Sequence, residues 1–310
     1  MKKVFIDGSA GTTGLRIYER LEKRNDITLI KLNEENRKDI NARKEAINSA
    51  DIVFLCLPDD AARESVSLLE NDSTVILDTS TAHRTNSDWV YGFPELDKSV
   101  AERLTSAKKI AVPGCHASGF IALIYPLVKA GIVDKDILLA CTSVTGYSGG
   151  GKKMIAEYES DSVDPLYKAP RQYALAQQHK HLKEMKALTG IENAPAFSPI
   201  VSDFYSGMCV TVPLFKAQLK NDTTIDDIKN LYKEKYNGPI VKFVDSADEA
   251  GFLSAAAVSG LDSMEISVFG NEDRILLAAR YDNLGKGASG AAVQCMNICL
   301  GADVTTGLNI

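Results

Sequence analysis

Val4-Phe5-Ile6-Asp7-Gly8-Ser9-Ala10-Gly11-Thr12-Thr13-Gly14 is the stretch that decides the architecture. A short apolar run gives way to three glycines at GxxGxxG spacing, and a helical pattern, Thr13–Glu22, follows at once. Glycines let the backbone turn tightly and approach a pyrophosphate, whose charge is met by N–H groups at a helix start. Gly8, Gly11, Thr12, Thr13 and Gly14 are therefore candidate cofactor-binding residues. A plain strand-to-helix turn is the competing explanation, and context must choose between them.

Outward from this entrance the context is a βαβ rhythm. Apolar runs at Val4–Ile6, Ile27–Leu32, Ile52–Leu57, Val75–Leu77 and Ile110–Val112 alternate with helical patterns at Thr13–Glu22, Lys38–Asn48 and Asp59–Leu69. Strands apolar on both sides imply a parallel sheet covered on both faces, a Rossmann-type α/β domain. At the end of the second run, where NAD sites usually carry an acid for the ribose hydroxyls, stand Leu32-Asn33, with Arg37-Lys38 soon after. That points to NADP.

Beyond residue 115 the rhythm changes. Phe120–Val133 reads as an apolar helix and Ile137–Val144 as a strand, and a loop-rich stretch is expected up to about Pro195. Met208–Leu214 reads as a strand, and Thr224–Tyr236 as a helix opened by Thr224 and closed by Asn237-Gly238. Met264–Phe269 and Arg274–Tyr281 form a hairpin across Asn271–Asp273. Such hairpins predict a mixed or antiparallel sheet, hence a second, α+β domain over 115–285. The apolar face of Ala288–Leu300 predicts a helix returning to the first domain, which would then comprise 1–114 and 286–310.

Val112-Pro113-Gly114-Cys115-His116-Ala117-Ser118-Gly119 carries the chemistry. Pro-Gly stops a strand, and Cys115 stands at the first turn of the next helix, where exposed N–H groups favour an anion and populate thiolate. Thiolate is the nucleophile of covalent acyl transfer. Most cysteines are inert core residues, and Cys56, Cys141, Cys209, Cys295 and Cys299 lie inside apolar patterns. Cys115 follows the last strand of a dinucleotide fold, at the carboxyl ends where ligands bind.

A proton partner comes from four histidines: His83, His116, His179 and His181. His116 adjoins the nucleophile, and neighbouring helix residues point apart. The segment from Tyr173 through His179 and His181 to Glu184 is the better source, although histidines on a charged helix are ordinarily just solvated. The His-x-His pair has no partner at zinc spacing, so no metal is expected.

Composition narrows the partners. With 310 residues, a formal charge of −6 and 45% hydrophobic residues, the chain suits two globular domains and lacks the basic footprint of a nucleic-acid or anionic-membrane binder. Asp7 ends the N-terminal apolar run before a signal-peptide core forms, and Phe120–Val128 is half a membrane span. A cytoplasmic protein with reduced thiols is expected.

Taken together, these motifs closely resemble the short-form N-acetyl-γ-glutamyl-phosphate reductases of arginine biosynthesis, relatives of the aspartate-semialdehyde dehydrogenases. The resemblance spans essentially the whole chain. It rests on Gly8–Gly14, Asp78–Arg84, Tyr91–Glu95, Pro113–Gly119, Thr145–Lys152, His179–His181 and Asp282–Gln294. It implies Cys115 as nucleophile and His179 as acid/base, with Tyr173, His181 and Glu184 around the substrate and Arg84 on its phosphate. It also implies Ser148, Gly149, Gly285 and Gly287 near the nicotinamide, NADPH as reductant, and dimers or tetramers. Where many long-form members have Asp-Phe-Arg, this chain has Ala82-His83-Arg84, and it reads Gly149-Gly150-Gly151-Lys152 where they carry Ala and Arg.

The implied reaction is reduction of an acyl phosphate to an aldehyde through a Cys115 thioester. Lys152, Lys153 and Arg171 are candidates for the substrate carboxylate. Other acyl phosphates, a non-catalytic NADP sensor and a thiol hydrolase are the rival assignments.

Overall fold

In the computed structural model, which describes residues 1–310, the chain divides into two units: Met1–Gly114 with Ala288–Leu308, and Cys115–Gly287 with Asn309–Ile310.

The first unit opens with β1 (Lys2–Asp7), and its apolar residues bury both faces. Val4 and Ile6 join one core with Ile17 and Leu21, while Phe5 points into another with Ala46, Ile47 and Ala62. That alternation explains why the run carries no polar residue until Asp7. There follow α1 (Thr12–Leu21), β2 (Ile27–Ile30), α2 (Ile40–Ser49), β3 (Ile52–Leu55), α3 (Asp59–Ser67), β4 (Val75–Asp78), β5 (Val90–Tyr91), α4 (Lys98–Leu104) and β6 (Lys109–Ala111). The sheet order is β2-β1-β3-β4-β6-β5, and every pairing is parallel. Strand order reverses between β1 and β3, the crevice where such sheets bind ligands.

Two details differ from expectation. The helix expected from Lys38 starts at Ile40, because the Asp39 carboxylate caps it by accepting the Ala42 N–H. The short β5 and α4 carry too few periodic residues to announce themselves.

The second unit begins with α5 (Cys115–Lys129), then β7 (Ala140–Gly146), α6 (Gly151–Tyr158), β8 (Arg171–Gln172), α7 (His181–Thr189), β9 (Ala196–Ser202), β10 (Met208–Phe215), α8 (Ile225–Lys235), β11 (Val241–Phe243), β12 (Met264–Gly270) and β13 (Arg274–Tyr281). The stretch expected to be loop-rich up to Pro195 in fact holds α6 and α7, helices of eight and nine residues. Neither offers two full turns of repeated apolar spacing to mark it. The seven strands run β11-β12-β13-β10-β7-β9-β8 in a mixed sheet, the α+β arrangement that the hairpins predict. Gly270 turns that hairpin at φ +109, where a Cβ would lie 2.2 Å from the Arg274 carbonyl oxygen.

The sheet packs one face on α5, which is buried almost throughout. Pro126 inside α5 lacks the N–H that the Ala122 carbonyl would otherwise receive. The Tyr236 hydroxyl donates to that oxygen instead (2.7 Å), and Tyr232 donates to the next one, Leu123 (2.5 Å). After the second unit the chain closes with α9 (Gly290–Leu300), which packs in the first unit against α1 and α4.

Candidate active site

In the first unit the backbone builds the cradle. Gly8 adopts φ +88, and a Cβ there would lie 2.3 Å from the Cys56 carbonyl oxygen; a Cβ on Gly14 would lie 2.4 Å from the Gly8 oxygen. Only glycine fits either position. Helix α1 starts at Thr12 with no side chain capping it. The Thr12 hydroxyl is buried without a hydrogen-bond partner, so a donor and a set of helix-start N–H groups stand ready for an anion. Asp7, immediately before, would repel phosphate, but Arg43 (3.1 Å) and Ser65 (2.8 Å) hold its carboxylate.

A cavity of about 620 Å³ runs from this loop past Tyr18 and Lys31 to Arg37 and Lys38. These features fit a dinucleotide: backbone donors for the pyrophosphate and cations beyond the second strand. Thr13, also read as a cofactor contact, lies in the first turn of α1.

Arg84 has a task inside the first unit. It is 8% exposed, and its guanidinium donates to the carbonyl oxygens of Val112 (2.9 Å) and Thr79 (2.8 Å). It ties the end of β4 to the segment leading into Pro113-Gly114. These two bonds orient the guanidinium through its Nε and one Nη. His83, passed over in the sequence, bonds Asp78 (2.6 Å) and stacks on Trp89 at 4.1 Å.

In the second unit Cys115 opens α5 and is half-buried. Burial pushes other thiols up, Cys56 to about 12, and Cys209 and Cys299 to about 11. His116 was expected to point away from the proton chemistry, and the structure corrects this. Its ring is buried, with Nδ1 bonded to the Ser143 hydroxyl and Nε2 to the Tyr173 hydroxyl, each at 2.7 Å. The His179 and His181 rings each lie 5.6 Å from it. The Tyr173 loop and the His179–His181 pair converge on the His116 ring, which is how a side chain next to the nucleophile joins the group.

Burial and the neighbouring His179 bring His116 down to about 3, and burial with Lys180 brings His179 down to about 4. Both are therefore neutral at pH 7. His179 Nδ1 accepts the His181 N–H at 3.2 Å, which puts the proton of the neutral ring on Nε2. Burial raises the Tyr173 phenol, with Cys115 as the second cause, so it stays protonated.

The loop carrying these groups is held in a demanding shape. Ala174 and Gln177 have φ of 53 and 56, rare for residues with a Cβ. The Gln177 side chain compensates by pairing with the Phe197 main chain in both directions (2.7 and 2.8 Å), as a neighbouring strand would. His181 and Glu184 are buried on one side of α7, the helix that packs on α5.

Ser148, Gly149, Gly285 and Gly287 have packing reasons of their own. Ser148 accepts a hydrogen bond from Asn283 (3.0 Å), and a Cβ on Gly149 would lie 3.4 Å from the same amide. A Cβ on Gly285 would strike the Leu261 oxygen at 2.1 Å, and one on Gly287 would lie 3.1 Å from the Cys115 Cβ. Among the carboxylate candidates, Lys152 and Lys153 are exposed on α6. Arg171 is gripped by Tyr167 at 3.6 Å and donates to the Tyr158 hydroxyl (2.8 Å).

A backbone-built dinucleotide cradle with a separate cysteine, histidine and tyrosine group defines a class, the oxidoreductases that bind nicotinamide dinucleotides. Within it, the chain belongs to the semialdehyde dehydrogenase family. The model for "Semialdehyde dehydrogenase, NAD binding domain" matches residues 3–104, and that for "Semialdehyde dehydrogenase, dimerisation domain" matches 115–283.

Among curated proteins the chain is 44% identical to N-acetyl-gamma-glutamyl-phosphate reductase 2 of Nostoc sp. (strain PCC 7120 / SAG 25.82 / UTEX 2576), over 99% of both chains. It is 45% identical to N-acetyl-gamma-glutamyl-phosphate reductase of Brucella ovis, over 96% of this chain and 99% of the relative. The resemblance drawn from the motifs is the one these relatives return. Aspartate semialdehyde dehydrogenase II from Vibrio cholerae shares the fold, with a TM-score of 0.73 at 15% identity over 97% of this chain and 98% of that one. Aspartate semialdehyde dehydrogenase with NADP from Candida albicans does so with a TM-score of 0.64 at 16% identity, over 97% and 99%.

Proposed function

We propose that the protein reduces N-acetyl-γ-glutamyl phosphate to N-acetylglutamate 5-semialdehyde and phosphate, with NADPH as reductant, through a thioester on Cys115. The observation that carries this reading is the position of Cys115 at the first turn of α5, with His116, Tyr173, His179 and His181 gathered in the same unit. The names of the near-full-length relatives support the substrate. Lys31, Arg37 and Lys38 around the cavity favour the 2′-phosphate of NADP.

A carboxylate resists hydride reduction because the anion is a poor electrophile, whereas an acyl phosphate has a leaving group. The Cys115 sulfur attacks the acyl carbonyl, the carbon–oxygen bond to phosphorus breaks, and phosphate departs. Bound NADPH supplies the hydride that reduces the thioester. The resulting tetrahedral oxyanion is met by hydrogen-bond donors. Nε2–H of His179 is one donor, in the tautomer that its Nδ1 contact sets. Collapse breaks the carbon–sulfur bond, regenerates the thiolate and releases the aldehyde. The proton of the Cys115 thiol leaves with the departing phosphate, because His179, protonated on Nε2 and engaged at Nδ1 by the His181 N–H, offers it no free lone pair. The substrate carboxylate is held by a cation from the set Lys152, Lys153 and Arg171.

Two further parts of the reading concern assembly and place. A second copy of the chain covers the sheet face opposite α5, where Pro213 pairs with Leu276 and Phe215 is 60% exposed. The family model's description as a dimerisation domain supports this. The protein works in the cytoplasm, consistent with six cysteines outside any disulfide and no helix long and apolar enough to cross a membrane.

The test is phosphate-dependent reduction of NADP with three aldehydes: N-acetylglutamate, aspartate and N-acetyl-aminoadipate semialdehydes. Turnover is expected with the first at a kcat/KM at least about a hundredfold above the others. Preference for either of the others overturns the substrate assignment.

A further inference from the structure

Tyr281, the last residue of β13, is fully buried, and its hydroxyl reaches into the first turn of α5. It accepts a hydrogen bond from the Gly119 N–H (2.9 Å) and donates one to the Cys115 carbonyl oxygen (2.5 Å). These two groups are the ends of a single helical turn, four residues apart. The phenol therefore spans the turn that starts at the cysteine.

Gly119 makes the space for it. A Cβ at that position would lie 2.7 Å from the phenol oxygen and 2.7 Å from a Val210 methyl. Across from it Gly287 lies so close that a Cβ would sit 3.1 Å from that of Cys115.

Two other buried phenols bond the same helix for a plainer reason. Tyr236 and Tyr232 serve the Ala122 and Leu123 carbonyls in the turn disturbed by Pro126. No proline disturbs the turn at Cys115. Instead the Tyr281 hydroxyl stands between the Gly119 N–H and the Cys115 carbonyl, the pair that a helix ordinarily joins directly, so the phenol itself bridges the first turn. No missing N–H explains its presence there, as one does at Pro126.

We propose that Tyr281 is a positioning residue, which locks the first turn of α5 so that its N–H groups stay aimed at the Cys115 sulfur. A sulfur anion at a helix start is favoured by those N–H groups only while the turn keeps its shape. The lock also holds the Cys115 main chain still while its sulfur gains and loses the acyl group. Burial raises the Tyr281 phenol well above its ordinary value, so it remains a proton donor throughout the working range. The inference rests on Cys115 being the nucleophile.

The experiment follows alkylation of Cys115 by iodoacetamide against pH, read by mass on the Cys115 peptide, in the full-length enzyme. Tyr281→Phe removes one oxygen and keeps the ring. It is expected to raise the thiol pKa and slow alkylation at pH 7 by about tenfold, the worth of one hydrogen bond. Tyr236→Phe removes the same group from the middle of α5 and is expected to leave the rate within about twofold. The remaining titratable groups, His116, Tyr173, His179, His181 and Glu184, and the buried Lys286 next to Gly287, are the same in both variants.

An unchanged profile in Tyr281→Phe overturns the proposal, and so does an equal fall in Tyr236→Phe, which marks general loosening of the helix. The wild-type enzyme mixed with acyl phosphate runs alongside. Acyl label on Cys115 with an unchanged Tyr281→Phe profile sinks the positioning role alone, whereas no acyl label removes the nucleophile on which it rests.

Discussion

The cradle in the first unit and the histidine group in the second are built in opposite ways. Seven consecutive residues, Gly8 to Gly14, make the cradle, and they act through main-chain shape. The histidine group draws side chains from four distant places: Cys115 and His116, Ser143, Tyr173 to His181, and Tyr281. A site made of backbone tolerates many side-chain changes but almost none at its glycines. A site made of side chains depends on what orients each of them.

The largest expected effect separates the two directly. Cys115→Ser should lower kcat by about 10⁴-fold or more, since a serine hydroxyl is scarcely ionised at pH 7. Its Kd for NADPH, read by fluorescence titration, should stay unchanged. Weakened NADPH binding would break the division of labour.

Acid should strike the histidine group first. The folded chain holds His116 at about 3 and His179 at about 4, while the unfolded chain takes up these protons near pH 6.5. Their folded values are depressed, so the unfolded state binds more protons between those limits. Stability is then full above about pH 6.5 and falls, by an order of a few kcal/mol, as the pH drops towards 4. Urea midpoints measured from pH 7 to pH 4 should show that fall, and His116→Gln should flatten it.

Gly8→Ala is the reverse of the cysteine change. With φ +88 and a Cβ 2.3 Å from the Cys56 oxygen, the loop must shift. NADPH affinity should drop by about a hundredfold, from strain of 1–3 kcal/mol and lost backbone contacts. Iodoacetamide labelling of Cys115 should keep its rate.

The smallest effect tests the scaffold alone. Tyr236→Phe leaves the Ala122 oxygen without its donor, in a helix where Pro126 offers no replacement. Unfolding free energy should fall by about 1–3 kcal/mol, with kcat unchanged within about twofold.

The same contrast explains what the sequence disclosed. The parallel sheet, its glycine entrance and the helix start at Cys115 were legible because each is a local pattern: apolar runs, glycine spacing, a Pro-Gly stop before a helix. Helices α6 and α7 were not, since eight or nine residues hold too little periodicity. His116 was set aside on helix geometry alone, and only the arrival of Tyr173 and Ser143 from elsewhere gives its ring a role. Arg84 was marked only by the family resemblance, and nothing local in the sequence announces its bonds to Val112 and Thr79. No pattern within reach of Tyr281 marks it as a partner of Cys115, 166 residues away.

The most direct measurement is a single turnover with NADPH left out. Enzyme is mixed rapidly with N-acetyl-γ-glutamyl phosphate, and released phosphate and the mass of the Cys115 peptide are followed together. One phosphate per active chain, released in a burst and matched by an acyl mass gain on Cys115, is the predicted result. Release of phosphate only after NADPH is added, with the Cys115 peptide unmodified, would contradict covalent catalysis.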